Sequence, residues 1–126
     1  MLSDRRVHAV LPVPDIEAAR PFYEEVLGLV PYAVIPNAIL YQAGGGSLFA
    51  ISKSGGKPSG AHTQLAFTVS NVPAEVAQLR ARGVTFEEYE TPKTTDGVAR
   101  MAFGFAAWFK DPNGNTLGII SLDDPV

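Results

Sequence analysis

The sequence predicts an α+β fold made of two tandem β-α-β-β-β modules. Three observations carry that reading. The stretch His8 to Gly28, HAVLPVPDIEAARPFYEEVLG, passes from an alternating segment through a capping residue into a helical stripe that stops at a glycine. A weaker copy, Gln64 to Gly83, repeats it at an offset of 56, setting His8 on Gln64, Asp15 on Asn71, Ile16 on Val72 and Tyr23 on Leu79. Each copy is followed by shorter apolar segments punctuated by Gly, Pro and Asn.

In chain order, His8–Val13 reads as a strand with Ala9, Leu11 and Val13 on one face. Asp15 caps a helix whose apolar stripe is Ile16, Ala19, Tyr23, Val26 and Leu27, and Gly28 ends it. Val30–Ile35 reads as an edge or irregular strand because Pro31 and Pro36 remove ladder donors. Ile39–Gln42 and Ser47–Ser52 form a hairpin across Gly44–Gly46. This first module spans about 5–53. The Gly/Ser/Pro-rich stretch 54–61 reads as a linker, and the second module spans about 62–122, all within one domain of residues 1–126. In the second module Leu65, Phe67 and Val69 alternate, Asn71 caps, and Val72, Val76 and Leu79 form the stripe. Val84–Tyr89 reads as a strand and 90–104 as a long irregular loop, a candidate lid. Phe105–Lys110 and Asn115–Ser121 are strands joined by the turn Asp111-Pro112-Asn113-Gly114, in which each residue suits its place. The tail 122–126 is expected to be loose.

Composition excludes several functions. A chain of 126 residues with 46% hydrophobic and 18% charged residues can bury roughly two thirds of its unfolded surface, so a packed globule is expected. The net charge of −3 without a Lys/Arg run argues against nucleic-acid binding. The absence of cysteine excludes disulfides and thiolate chemistry. No apolar run is long enough to span a bilayer and Met1–Arg6 has no signal-like core, so no membrane association and a cytoplasmic location are expected.

The strand faces suggest where a ligand would sit. One face (Ala9, Leu11, Val13, Phe49, Ile51, Leu65, Phe67, Val69, Leu117, Ile119) is suited to packing under the helices. The other carries His8, Val10, Pro12, Leu48, Ala50, Ser52, Gln64, Ala66, Thr68, Thr116, Gly118 and Ile120. Small and polar residues on a concave sheet face leave room for a ligand, or for a loop or second chain that fills it. Trp108 shares a face with Lys110, which fits either the mouth of such a cleft or plain packing. Phe103, with Phe105 and Met101, is placed to wall an apolar ligand.

The pattern of Pro12-Val13-Pro14-Asp15, Phe22-Tyr23, Leu27-Gly28, the Val69–Gly83 repeat and Trp108-FKDPNGNTLGI resembles the vicinal oxygen chelate superfamily over nearly the whole chain. That superfamily includes glyoxalases, bleomycin resistance proteins that confer antibiotic resistance, and extradiol dioxygenases. The resemblance implies a mixed sheet curled around a cleft and, commonly, a homodimer. Its metal enzymes place one ligand on each of four strands, which map here to His8, Ala50, Gln64 and Gly118, the last where the enzymes usually carry Glu. Ala50 and Gly118 have no ligating atom, and His8 and Gln64 bring no negative charge to offset the desolvation of a hard cation. His62 could add an imidazole. The four positions therefore read as vestigial, with no catalytic residue, metal or other cofactor expected. The favoured function is a non-enzymatic module that binds a small, partly aromatic molecule through His8, Gln64, Ala50, Gly118, Trp108, Phe103 and Ser52. The alternative is a metal-dependent lyase, isomerase or dioxygenase with a reduced ligand set.

Overall fold

The structure, a computed structural model, describes residues 1–123; the end of the tail, 124–126, lies outside them. The chain divides into two compact units, Met1–Pro58 and Ser59–Val126, each with its own mixed sheet. The architecture is α+β, with few helices and two open sheets.

In the first unit, β1 (Ala9–Val13) leads through the cap Asp15, whose Oδ1 accepts from the Ala18 N–H at 3.2 Å, into α1 (Ile16–Pro21). The expected single helix to Leu27 changes form after Pro21. The proline has no N–H to donate and its ring crowds the preceding turn, and Phe22–Val26 continue as a π-helical turn closed by Leu27 N–H to Phe22 O at 3.0 Å. Gly28 takes the left-handed conformation (φ 74°) that ends the segment. Strands β2 (Val30–Ile35), β3 (Ala38–Gln42) and β4 (Leu48–Lys53) complete a sheet of order β1-β4-β3-β2, with β1 and β4 parallel. β2 is the expected edge strand, with its register shifted between Pro31 and Ala33. Tyr23, Tyr41 and Phe49 pack with centroids 5.6–5.9 Å apart beside fully buried Leu11, Ile39 and Ile51. The Tyr41 hydroxyl donates to Glu24 (2.9 Å), which also accepts from Arg20 Nε (2.7 Å), tying the helical segment to the sheet.

The second unit repeats the plan. It contains β5 (Leu65–Thr68), α2 (Val72–Ala81, capped by Asn71), β6 (Thr94–Thr95), β7 (Val98–Met101), β8 (Gly104–Lys110) and β9 (Thr116–Leu122), in the order β5-β9-β8-β7-β6. Three sequence expectations are corrected here. Residues 84–89 form no strand, only a bridge between Phe86 and Phe109. Their alternation reflects Val84 and Phe86 plugging into the core, with Phe86 edge-on to Phe109 at 5.5 Å. The segment 90–104 is not wholly irregular: it contains β6 and β7, and β7 takes the sheet position expected for 84–89. Nor is the start of the tail loose. Leu122 ends β9, and Asp123 is held by Arg100 and by its own N–H to Phe103 O at 2.8 Å.

The registers match between units. Val10 pairs with Ala50, and Ala66, 56 positions after Val10, pairs with Gly118, so Ala50 and Gly118 are equivalent places in the two sheets.

Candidate functional site

A pocket of about 250 Å³ opens in the second unit, lined by Gly60, Ala61, His62, Thr63, Tyr89, Thr91, Pro92, Trp108 and Thr116. Its centre follows from strand register. Trp108 on β8 stands directly opposite Gly118 on β9. A Cβ at Gly118 would lie 3.4 Å from the indole Cδ1, 3.5 Å from Nε1 and 3.3 Å from Thr63 Cγ2. A Cβ there would be in ordinary contact with the indole and slightly tight against Thr63, so the indole lies directly over the bare strand at Gly118. Tyr89 flanks it, with centroids 5.6 Å apart and planes tilted 60°.

Tyr89 stands outside any strand and is positioned by one buried residue. Thr94 Oγ1 accepts from the Tyr89 N–H at 2.7 Å and lies 3.3 Å from its carbonyl, which also accepts from the Thr94 N–H at 3.0 Å. Between them Glu90 bridges Lys93, and the Thr91–Pro92 bond is cis. Burial, and next the nearby Glu87, push the Tyr89 phenol above its ordinary range while Lys110 pulls it back. Lys110 itself pairs with Glu87 at 3.1 Å.

Thr116, at the start of β9, is held by the Asp111–Asn115 turn. Asp111 Oδ1 accepts from the backbone N–H groups of Asn113 and Asn115, both at 2.8 Å, and Oδ2 accepts from Asn115 Nδ2 at 2.7 Å. Asn115 Oδ1 in turn accepts from Gln64 Nε2 (3.0 Å), and Gln64 Oε1 accepts from the Thr116 N–H (3.2 Å). Both ends of the Gln64 amide are thus engaged in holding the start of β9.

The structure gathers only part of the expected site set. Trp108 lines the pocket and lies over Gly118, which is not itself in the lining, while Gln64 braces Thr116 at the pocket's edge. His8, Ala50 and Ser52 belong to the first unit, where His8 is exposed and precedes β1 instead of opening it. Ala50 is buried on β4, and Ser52 pairs with Pro12 and Ala38. Phe103 is 42% exposed in the turn between β7 and β8 and does not line the pocket. Sequence reasoning missed Tyr89, Thr63, Thr91 and Pro92. The Thr-Pro pair inside a long loop was the available signal, but Tyr89 was hidden inside an expected strand.

The family profile of the Glyoxalase/Bleomycin resistance protein/Dioxygenase superfamily matches residues 5–119. The chain belongs to that superfamily. Among solved structures it is similar to TnmS3, an antibiotic binding protein from Streptomyces sp. CB03234, at 26% identity and a TM-score of 0.65, covering 94% of this chain and 98% of that one. It also shares its fold with superfamily proteins from Alicyclobacillus acidocaldarius (17% identity, TM-score 0.73, 96% and 93% covered) and Nocardioides (20%, 0.64, 94% and 84%). Comparison with curated proteins gives no match.

Metal-using members of this superfamily set a standard the side chains here do not meet. Of the four family positions, Ala50 and Gly118 offer no donor atom, and the Gln64 amide is committed to Asn115 and Thr116. Among the described residues no group of three or more His, Cys, Asp or Glu could hold an ion. A hard divalent cation needs several oxygen or imidazole ligands with compensating charge, so this donor set does not fit one.

Proposed function

We propose that this glyoxalase/bleomycin resistance-like protein is a non-catalytic binder that holds a small, partly aromatic organic molecule against Trp108 and Tyr89, without a metal or other cofactor. The observation that carries the reading is the indole seated on Gly118, the position where the superfamily's metal enzymes carry Glu. An aromatic wall has replaced a ligating carboxylate. The pocket is small by the standard of small-molecule sites, which begin at about 300 Å³, so it suits a two-ring fragment of a ligand. The likeness to an antibiotic binding protein over nearly the full length of both chains supports the same class of function.

Trp108 is the only tryptophan, so its emission reports on the pocket without background. Titration with a panel of planar aromatic compounds should give saturable changes in that emission, and calorimetry should show the binding lost or weakened in Trp108→Ala with its fold intact by circular dichroism. Elemental analysis after dialysis is the counter-test: stoichiometric nickel, zinc, iron or manganese would overturn the reading. A homodimeric, cytoplasmic protein is part of the same proposal. Val10, Val30 and Ile35 of the first unit are each at least 50% exposed on one face of its sheet, apolar side chains that a second copy would cover. Light scattering at micromolar concentration tests the dimer, and cell fractionation tests the location.

A further inference from the structure

We propose that the Trp108 pocket selects aromatic ligands bearing hydrogen-bond acceptors, neutral or anionic, and discriminates against cationic amines. This rests on the binding function above and adds the ligand's chemical class.

None of the nine lining residues is Asp or Glu. An ammonium group entering the pocket would lose water without meeting a carboxylate, and an uncompensated buried charge is strongly disfavoured. The indole N–H is a donor with no acceptor capacity. It makes no hydrogen bond among the described residues. A ring system laid against the indole shields that N–H from water, so a ligand without an acceptor there leaves it unpaired.

The other polar groups add donors for such a ligand. The Tyr89 phenol, held above its ordinary range, keeps its proton at neutral pH and remains a donor. The hydroxyls of Thr63 and Thr91 have no partner among the described residues and can donate to a ligand oxygen. Ser59 Oγ meets His62 Nδ1 at 3.2 Å, which leaves the ring's other nitrogen for a ligand. The flanking charges do not favour a cation either. Glu87 is neutralised by Lys110, whose Nζ would lie 3.3 Å from a Cβ on Gly60, at the pocket rim. Finally, Trp108 and Tyr89 pack on each other at 5.6 Å, so they do not stand apart as the facing walls of a cation cage.

The test uses one ring system, unsubstituted and with three substituents: naphthalene, 2-acetylnaphthalene, 2-naphthoate and 2-naphthylmethylammonium. Binding is measured on the whole protein by calorimetry and by the indole ¹⁵N–¹H resonance, which is a single peak because there is one tryptophan. The ketone and the carboxylate should bind about tenfold or more tighter than the ammonium and move the indole proton downfield. Trp108→Phe keeps an aromatic wall but removes the donor, and should reduce that preference. Tyr89→Phe, which removes only a hydroxyl, gives a second measure should the first variant fold poorly. Equal or tighter binding of the ammonium compound, or an indole resonance unmoved at saturation by the ketone and carboxylate, would overturn the proposed selectivity while leaving the binding function standing. If no probe binds, naphthalene included, the binding function fails and the selectivity with it.

Discussion

Replacing Thr94 with Val tests how the pocket wall is built. The two side chains have nearly the same shape, so no cavity is created and the change is almost purely one of hydrogen bonding. Thr94 is 4% exposed, and its Oγ1 is the acceptor for the Tyr89 N–H at 2.7 Å. Val offers no acceptor, and that N–H is left unpaired in a half-buried setting. The Thr94 N–H to Tyr89 carbonyl bond at 3.0 Å survives, so a single orphan donor is created. Its cost is about 1–2 kcal/mol, the lower part of the range for a buried unsatisfied group. In a domain of this size that lowers Tm by roughly 3–8 °C. Urea unfolding should show a lower midpoint with an unchanged slope. Because Tyr89 packs on Trp108, the native emission of Trp108 should also change. Thr94→Ser retains the acceptor and should restore both signals. A Val variant with wild-type stability and emission, or a Ser variant as perturbed as Val, would refute the claim that Thr94 positions the wall.

Other expectations follow from the same structure. Asp111→Ala strips the acceptor from two backbone N–H groups and the Asn115 amide, and should cost about 3 kcal/mol or more by denaturant titration, with the Gln64 brace loosened. Gly104→Ala should be at least as damaging to the β8–β9 end. A Cβ there would sit 1.9 Å from the Ser121 carbonyl oxygen, at a φ of 149° that side chains rarely adopt, and thermal melting should show a loss of several °C. Burial first, and then its bond to Glu24, push the Tyr41 phenol above its ordinary value. The folded chain therefore keeps that proton to higher pH than the unfolded chain. The contribution is intact below the unfolded value of about 10 and is lost as pH rises beyond it. Stability of the parent protein should fall above pH ~10, and Tyr41→Phe should flatten that decline. On the acid side, the hydrogen bond from Arg20, and less strongly that from Tyr41, hold the Glu24 carboxyl below its ordinary value. Its contribution is present above the unfolded carboxylate value and should fade as pH drops through the folded one, a loss that Glu24→Gln should remove from the acid limb of the stability profile.

The repeat was legible because it is written in local physics. Asp15 and Asn71 cap helices by accepting from the third N–H beyond them, and Gly28 and Gly83 end them at positive φ, whatever lies around. Alternation placed Leu11, Val13, Phe49, Ile51, Leu117 and Ile119 in the core, where all are buried, while Ala9, Leu65, Phe67 and Val69, expected on the same face, are half-buried. The equivalence of Ala50 and Gly118 was implied by the family resemblance, and strand register reproduces it. What the chain order alone could not decide is which segments win a place in the ladder. Residues 84–89 alternate like a strand, yet their apolar side chains anchor in the core while β7, with no clear period, takes the hydrogen bonds. The pocket lay beyond reach for the same reason. Trp108 meets Tyr89 through a loop clamped by Thr94, and rests on Gly118 across a strand pair. Contacts between residues far apart in the chain depend on register and loop closure, which only the assembled sheet sets.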